Sequence, residues 1–201
     1  SSITVLFPKR GMQKQEDAIE GSSLLDDAIK ISSEDEADST ILDQLDLILM
    51  WIVIALCSKE KTAGLHAILN LITKLFEYLR EQSYQMTDFE AMTFLPFFLE
   101  KGSSAKGRFK DKFQDLISSI AADPEHSLYS PQKYGQLICI PLLERSGTPK
   151  TRLIAMIECC SCVNAIGLSA VGKKGVLVVI RMVSEETLAE NRNAALDVIT
   201  A

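Results

Sequence analysis

The residues best suited to chemistry are three cysteines in the segment MIECCSCVNAIG, namely Cys159, Cys160 and Cys162. Thiolates at this spacing can bind zinc or take part in thiol–disulfide exchange. A structural zinc site, however, needs four Cys or His ligands, usually from two separated pairs. The other two cysteines, Cys57 and Cys139, are single and lie in other predicted helices. The sequence therefore contains half of a zinc site, and we expect no bound metal.

A helix predicted over KTRLIAMIECCSCVNAI gives these cysteines a simpler role. On a helix Cys159 and Cys162 share one face, whereas Cys160 points about 100° away. A free thiol behaves as a small buried hydrophobic group, which suits close contact between helices. We expect Cys159 and Cys162 to pack this helix against its neighbours, with a metal or redox role as the alternative.

No other residues indicate catalysis or a cofactor. His66 lies among apolar neighbours and His126 lies in a connector, and neither has a Cys or Asp at ligand spacing. The sequence contains no phosphate-binding loop, dinucleotide-binding, zinc-protease or nucleophile-elbow motif. We therefore expect a non-enzymatic protein without cofactors. A fragment of a helical enzyme is an alternative that the lack of titratable clusters disfavours.

The composition is typical of an all-helical protein. The chain has 201 residues, enough for one domain or two small ones, and 47% of them are hydrophobic. Only 6% are aromatic, and 10 glycines and 6 prolines are few for a strand-rich fold. The longest apolar run, LDLILMWIVIALC, is shorter than the roughly 18 residues of a membrane span. No signal peptide is visible, so we expect reduced thiols and no membrane contact.

The charge is unevenly distributed along the chain. The net charge is −6, but residues 1–40 hold four Lys and Arg against nine Asp and Glu, whereas residues 41–201 hold 17 against 18. The larger part is nearly neutral and has no net basic footprint, which argues against nucleic-acid binding. The positions of its cations therefore matter more than their number.

Three segments repeat one pattern, and a fourth follows it. Each has an apolar stretch, a polar tip with lysine and a second stretch of helical periodicity: LDLILMWIVIALCSKEKTAGLHAILNLI, EAMTFLPFFLEKGSSAKGRFKDKFQDLI and YGQLICIPLLERSGTPKTRLIAMIECCS. Trp51, Pro96 and Pro141 hold the same place at intervals of 45 residues. Two helices per unit of this length are typical of HEAT and armadillo repeats, which stack to bury their apolar faces. We predict an all-α fold, a HEAT-repeat α-solenoid of antiparallel helix pairs.

Local signals define some of the helix ends. TDFE is a capping box in which Thr87 caps the helix and Glu90 reaches back to it. Gly147 and Gly167 lie where helices should stop. Pro96 and Pro141 fall inside apolar helical stretches, which predicts a tolerated kink in the first helix of each pair; a helix boundary at each proline is the alternative.

We predict a weak first HEAT repeat and an acidic, flexible linker over residues 1–40, and the repeats of a single domain over residues 41–201. KQEDAIEGSSLLDDAIKIS can form an amphipathic helix with Ile19, Leu24 or Leu25, and Ile29 on one stripe, although its glycine and serines weaken it. SSEDEADST is the charged linker. The numbering starts without Met and the chain stops inside a predicted helix, so we expect an excised domain whose last repeat is incomplete.

The tips of the predicted helix pairs carry recurrent cations. Turns within stacked repeats line up along one edge, and a positive edge favours an acidic protein surface. A lone loop lysine usually serves solubility, but recurrence at one phase indicates a binding edge. The fourth tip, SEETLAENRN, departs from the pattern because it is acidic. The candidate residues are Lys9, Arg10, Lys59, Lys61, Lys106, Arg108, Lys150, Arg152, Asn191 and Arg192.

The chain resembles a known family over most of residues 40–201, and more weakly over residues 6–30. LDLILMWIVIALC, YLREQSYQMTDFEAMTFLPFFLEK, TRLIAMIECC and NRNAALDVI are similar to tumour-overexpressed-gene (TOG) domains of microtubule polymerases, as in the plant MOR-type and animal ch-TOG proteins. The most specific stretch is REQSYQMTDFEAMTFLP. The similarity is greatest to the last domain of the array.

The resemblance implies a paddle of HEAT repeats that binds αβ-tubulin or the microtubule lattice through its turns and has no active site. Lys106, Lys150 and Arg192 match basic turn positions of the family. It also implies a monomeric module, in the cytoplasm at microtubules, the spindle or growing plus ends. A HEAT scaffold for a non-tubulin protein is the alternative, and neither reading includes a nucleic acid, a membrane or a cofactor.

Overall fold

The computed structural model describes residues 15–34, 40–57, 62–121 and 126–201. The chain divides into two compact units, Ser1–Tyr84 and Gln85–Ala201, which we call unit 1 and unit 2. Within the described ranges every regular element is a helix. The prediction of an all-helical protein is therefore confirmed.

Unit 1 contains four described helices: α1 (Gln15–Glu34), α2 (Thr40–Asp43), α3 (Leu45–Cys57) and α4 (Thr62–Glu81). The helices α3 and α4 form the first predicted pair, and α1 packs along α4. Apolar residues at helical spacing explain α4, which buries Ile68, Ile72, Leu75 and Leu79 on one face. Polar residues cover its opposite face, so burial of the apolar stripe holds the pair together.

The helix α1 buries the predicted stripe except at its first position. Leu25, rather than its alternative Leu24, and Ile29 are buried as expected, but Ile19 is 41% exposed. The buried face is completed by Gly21 and Ser22, the small residues that weaken the helix by propensity. Small residues let this face approach its neighbours closely, which accounts for their place in a helix.

The predicted boundaries of the first 40 residues are only partly covered. The helix α1 continues to Glu34, so the first residues of the predicted acidic linker are helical. The last residue of that linker, Thr40, begins α2. Residues 35–39 and the short element predicted before residue 15 lie outside the described residues.

Unit 2 contains three helix pairs in its described part. The first pair is α5 (Asp88–Ser104) and α6 (Arg108–Ser118). The second is α7, which spans Pro131–Arg145 as three consecutive helical pieces, and α8 (Pro149–Ile166). A 3₁₀ turn, Gly167–Ala170, follows α8. The third pair is α9 (Gly172–Glu185) and α10 (Ala189–Thr200).

The predicted helix signals at the ends of α5 and α8 are confirmed. Thr87 Oγ1 accepts a hydrogen bond from the Glu90 amide at 3.3 Å, and Glu90 Oε2 accepts one from the Thr87 amide at 2.7 Å. Gly167 ends α8 with φ of 74°, a conformation that glycine adopts without steric cost. Both signals act locally, which is why the sequence alone reveals them.

Both internal prolines lie within continuous helices, so the alternative of a helix boundary at each proline is wrong. Pro96 lies inside α5. Pro141 lies in the α-helical piece Ile140–Arg145, which follows a π-helical piece, Tyr134–Cys139. In that piece the Ile140 amide donates to the carbonyl of Gly135, five residues earlier. This wider turn precedes the proline, where a regular α-helix would lose a hydrogen bond and clash with the preceding turn.

The helix α8 is the centre of unit 2, with α5, α7 and α10 packed around it. By length and composition the stretch Pro149–Ala170 could also cross a membrane. Glu158 and several polar residues interrupt this stretch, so it contains no long unbroken apolar run. Cys159 and Cys162 are fully buried in α8, as the packing interpretation predicts. The thiol of Cys139, which the sequence left isolated, lies beside Cys159.

Candidate functional site

The turns inside the three helix pairs of unit 2 lie side by side. They are the segments 105–107, 146–148 and 186–188, and we call them together the turn edge. Side chains at the start of each second helix join each turn to the next. The turn edge is therefore a continuous surface rather than three separate loops.

Hydroxyl groups join the first and second turns. Ser103 Oγ in the last turn of α5 lies 2.9 Å from Thr151 Oγ1 in the first turn of α8. Thr151 is buried, and its hydroxyl is also 2.6 Å from that of Thr148, the N-cap of α8. Because the middle hydroxyl of the three, that of Thr151, is buried and bonded to both of the others, it holds the two turns at a fixed distance.

An ion pair joins the second and third turns. Arg152 Nε donates to Glu186 Oε1, and Arg152 Nη2 lies 3.2 Å from Glu186 Oε2, so the contact is bidentate. The same guanidinium donates from Nη1 to the Ser146 carbonyl at 2.9 Å. The hydrogen bond from Arg152 holds the pKa of Glu186 below its ordinary value, and the same bond raises the pKa of Arg152. Both groups therefore stay charged at neutral pH.

A second link joins the same two turns. Asn191 Nδ2 donates a hydrogen bond to the Pro149 carbonyl at 3.0 Å. Asn191 is 1% exposed, so its amide sits inside the protein rather than on the edge. The Pro149 carbonyl lies in the first turn of α8, and Asn191 lies in the first turn of α10. The bond therefore fixes the start of one helix against the start of the next.

These contacts correct two of the predicted binding residues. Asn191 is buried, so it cannot contact a partner directly. The side chain of Arg152 is 19% exposed and its guanidinium is engaged by Glu186 and Ser146. The predicted acidity of the last turn also needs correction at Glu186, whose side chain is 5% exposed and neutralised by Arg152.

Four predicted residues are exposed on or beside the turn edge: Lys106, Arg108, Lys150 and Arg192. Lys106 lies within the first turn, and the guanidinium of Arg108 lies 5.2 Å from the centre of the Phe109 ring. Lys150 and Arg192 lie at the starts of α8 and α10. The four other predicted residues, Lys9, Arg10, Lys59 and Lys61, lie outside the described residues.

The first turn owes its shape to one glycine. Gly107 has φ of 56° and ψ of −143°, a region that side chains with a Cβ rarely enter. Gly107 lies between Lys106 and Arg108 and forms the N-cap of α6. Its conformation therefore directs both neighbouring cations.

Charged side chains line a cavity beside this edge. The cavity, of about 370 Å³, opens beside the second and third turns and is lined by Arg152, Glu186, Glu144 and Thr187 among others. Its carboxylates have cationic partners, since Glu186 is bound by Arg152 and Glu144 by Lys174 at 2.7 Å. Among the described residues no group of three or more His, Cys, Asp or Glu is placed to hold a metal ion.

Sequence reasoning missed the residues that link the turns. Ser103 and Thr151 belong to no recognisable sequence motif. Glu186 was interpreted only as an acidic exception in an otherwise basic set of turns. The signal in the sequence is the opposite charge of Arg152, near the start of one second helix, and Glu186, in the turn of the next repeat. That signal is weak because most surface charges have such partners by chance.

Comparison with known proteins identifies relatives in plants. The chain is 30% identical to protein MOR1 of rice, Oryza sativa subsp. japonica, over 149 residues that cover 74% of this chain and 6% of the rice protein. It is 29% identical to protein MOR1 of Arabidopsis thaliana over 183 residues, 89% of this chain and 8% of that protein. The chain thus spans less than a tenth of the relatives that it matches. No protein-family model matches the chain.

Solved structures share the fold. A structure described as "TOG-tubulin binding specificity promotes microtubule dynamics and mitotic spindle formation" superposes with a TM-score of 0.80 and 18% identity, covering 99% of this chain and 74% of that one. A TOG domain from C. elegans Zyg9 gives a TM-score of 0.73 and 20% identity, covering 99% and 68%. These matches confirm the predicted HEAT-type arrangement of helix pairs. Together with the sequence similarity to the MOR1 proteins, these matches identify the chain as a TOG domain of the MOR and ch-TOG family.

Proposed function

We propose that this domain is a non-enzymatic module of a microtubule polymerase that binds αβ-tubulin through the turn edge of unit 2. The observation that carries the proposal is the lateral hydrogen bonding of the turns, which presents Lys106, Arg108, Lys150 and Arg192 on one continuous surface. Tubulin is acidic, so exposed cations at fixed spacing match it electrostatically. The family relationship and the described structure of the TOG–tubulin system support this choice of partner.

The proposed mechanism is electrostatic docking without a chemical step. A single exposed cation contributes little to the free energy of binding, so the affinity must come from several cations acting together. Their preset geometry reduces the conformational entropy lost on binding. We further propose that the isolated domain is monomeric, associates with microtubules in the cytoplasm, and contacts neither nucleic acid nor membrane, with α8 as a core helix.

The direct test is co-elution of the purified domain with αβ-tubulin, or its co-sedimentation with microtubules, at low salt. We expect wild type to bind, and the affinity to fall as salt rises because exposed charges become screened. The double variant Lys106→Glu with Lys150→Glu should bind at least tenfold more weakly, roughly the effect of two reversed contacts of about 1 kcal/mol each. Its circular dichroism should match that of wild type.

A matched control has the same change of charge at the other end of the helices. Lys173, in the first turn of α9, is exposed and distant along its helix from the turn edge. The variant Lys173→Glu should keep most of the affinity that Lys150→Glu loses. Equal losses in these two single variants would indicate attraction by overall charge alone. No binding by wild type at low salt would contradict the proposal and favour a non-tubulin partner.

A further inference from the structure

We propose that Arg152, Glu186 and Asn191 are positioning residues that set the spacing of the exposed cations Lys150 and Arg192 before tubulin arrives. This inference rests on the proposed function and extends it to residues that do not contact the partner. We call the Arg152–Glu186 ion pair and the Asn191–Pro149 hydrogen bond together the clasp.

Each half of the clasp is adjacent in sequence to an exposed cation. Arg152 follows Lys150 by two residues in the first turn of α8, and Asn191 directly precedes Arg192 in the first turn of α10. The backbone of one helical turn is rigid, so the position of each clasp residue fixes that of its neighbour. The clasp therefore holds Lys150 and Arg192 relative to each other through two contacts, which are themselves joined because Asn191 also hydrogen-bonds with Glu186.

The hydrogen bonds of Arg152 and Glu186 within the clasp are too favourable to be replaced by contacts with a partner. Arg152 uses its guanidinium for both Glu186 oxygens and for the Ser146 carbonyl. The side chain of Glu186 is only 5% exposed, so withdrawal of Arg152 would leave a buried carboxylate without its counter-ion. Unpaired buried charge is strongly unfavourable. A tubulin contact by Arg152 would have to overcome that cost, whereas Lys150 and Arg192 reach solvent without it.

The clasp also joins two helix pairs at their turns, while the Lys174–Glu144 ion pair links them elsewhere. The clasp ties the turn of the pair α7–α8 to that of α9–α10, while Ser103 and Thr151 do the same between the pairs α5–α6 and α7–α8. The three turns are therefore fixed in the free protein. A preorganised surface binds with a smaller entropic cost than one that orders on contact.

The first arm of the test examines the clasp in the free protein. Asn191→Asp keeps the side-chain shape but replaces the amide that donates to Pro149, and Glu186→Gln removes the charge that binds Arg152. Hydrogen exchange should become about tenfold faster, or more, at the amides of residues 186–192, since one variant loses the amide donor to Pro149 and the other loses the charge that strengthens the bond to Arg152. Exchange in α5 and α6 should not change. If residues 186–192 keep wild-type protection in both variants, the clasp does not fix the turn and the proposal fails.

The second arm measures tubulin affinity against salt concentration. The clasp variants keep every exposed cation, so we expect affinity to fall about tenfold while its dependence on salt stays the same. The comparison variant Lys150→Ala should lose affinity and also show a weaker salt dependence. Direct contact by Arg152 is tested by the double variant Arg152→Gln with Glu186→Gln: a weaker salt dependence than that of Glu186→Gln alone would show such contact and overturn the positioning role.

Two variants keep the result interpretable. Should Asn191→Asp not fold, Glu186→Gln carries the test, because the neutral glutamine can still accept a hydrogen bond from Arg152. Unchanged affinity together with faster exchange would refute positioning and leave the proposed function intact. Failure of wild type to bind tubulin would overturn both, and the exchange data would still show whether the clasp exists.

Discussion

Gly21 in α1 lies directly against the indole ring of Trp51 in α3. A Cβ built on Gly21 would overlap the ring, with Cε2 of Trp51 at 3.1 Å. Trp51 is completely buried, so the ring cannot swing away into solvent. The residue that weakens α1 by propensity is therefore the one that lets the largest side chain of unit 1 pack.

Replacing Gly21 by alanine should destabilise the protein. In an exposed helix this change stabilises by about 1 kcal/mol, but here the added methyl group forces overpacking that costs about 1–3 kcal/mol. We expect a net loss in the free energy of unfolding, measured by urea denaturation followed by circular dichroism. The control is Ser23→Ala, at an exposed position of the same helix, which should be neutral or slightly stabilising. A Gly21→Ala protein more stable than wild type would contradict the packing described.

Two glycines in unit 2 allow the effect of backbone strain on stability to be measured without a steric clash. An added Cβ at Gly107 or at Gly147 would meet no atom within 4 Å, and only Gly107 has positive φ. Gly107→Ala should therefore cost about 1 kcal/mol or more, whereas Gly147→Ala should be neutral or stabilising because it restricts the unfolded chain. Thermal denaturation of the two variants in parallel gives the comparison. Equal effects would show that the conformation of Gly107 is not constrained.

The buried carboxyl group of Glu158 predicts a specific dependence of stability on pH. Burial raises its pKa from 4.5 to about 7, although the nearby Tyr134 hydroxyl acts in the opposite direction. A raised pKa means that the folded state favours the protonated form. The stability from this group is therefore complete below about pH 4.5 and is lost as the pH rises through 7.

The variant Glu158→Gln removes that ionisation and keeps the shape. At pH 5 its free energy of unfolding should be close to that of wild type. At pH 8 it should exceed wild type by about 2–3 kcal/mol, the cost of ionising the buried carboxyl. Groups with lowered pKa, such as Glu144 and Glu186, are common to both proteins and cancel in the difference. A constant difference between pH 5 and 8 would rule out this titration.

The five thiols should react at three different rates. Cys57 is exposed, Cys160 is half-buried, and Cys139, Cys159 and Cys162 are buried. Burial also raises the pKa of Cys139 and of Cys162, which lowers the fraction of reactive thiolate. With a chromogenic disulfide reagent we expect one fast equivalent, a slower second and three that appear only on unfolding. Wild type and Cys57→Ser should differ only in the fast phase; immediate reaction of Cys159 or Cys162 would refute their role in packing.

The helix pairs could be predicted because their signals are local and periodic. Apolar residues at helical spacing, a capping box at Thr87 and a recurrence of 45 residues each reflect the chain within one repeat. A helix through Pro96 could be predicted in the same way, because Pro141 occupies the same position of the next repeat. The π-helical piece before Pro141 could not be predicted from the sequence, because its i to i+5 hydrogen bonds depend on packing against neighbouring helices.

The candidate site could be predicted only as a set of charges. Exposed Lys106 and Lys150 followed from their places in short polar tips. The burial of Asn191 did not, because a polar residue next to Arg192 reads as surface until the Pro149 carbonyl, 42 residues away, is placed beside it. Arg152 and Glu186 likewise acquire their roles from a partner in another repeat. Such roles arise from stacking, which the order of residues does not specify.

Trp51 is the chain's single tryptophan, and it lies fully buried in unit 1. Its fluorescence therefore reports the unfolding of that unit alone, while far-ultraviolet circular dichroism reports the helices of both units. The sequence thus provides a native optical probe that needs no label. Comparing the two signals in one denaturation experiment will show whether the units melt as one cooperative body or in separate steps.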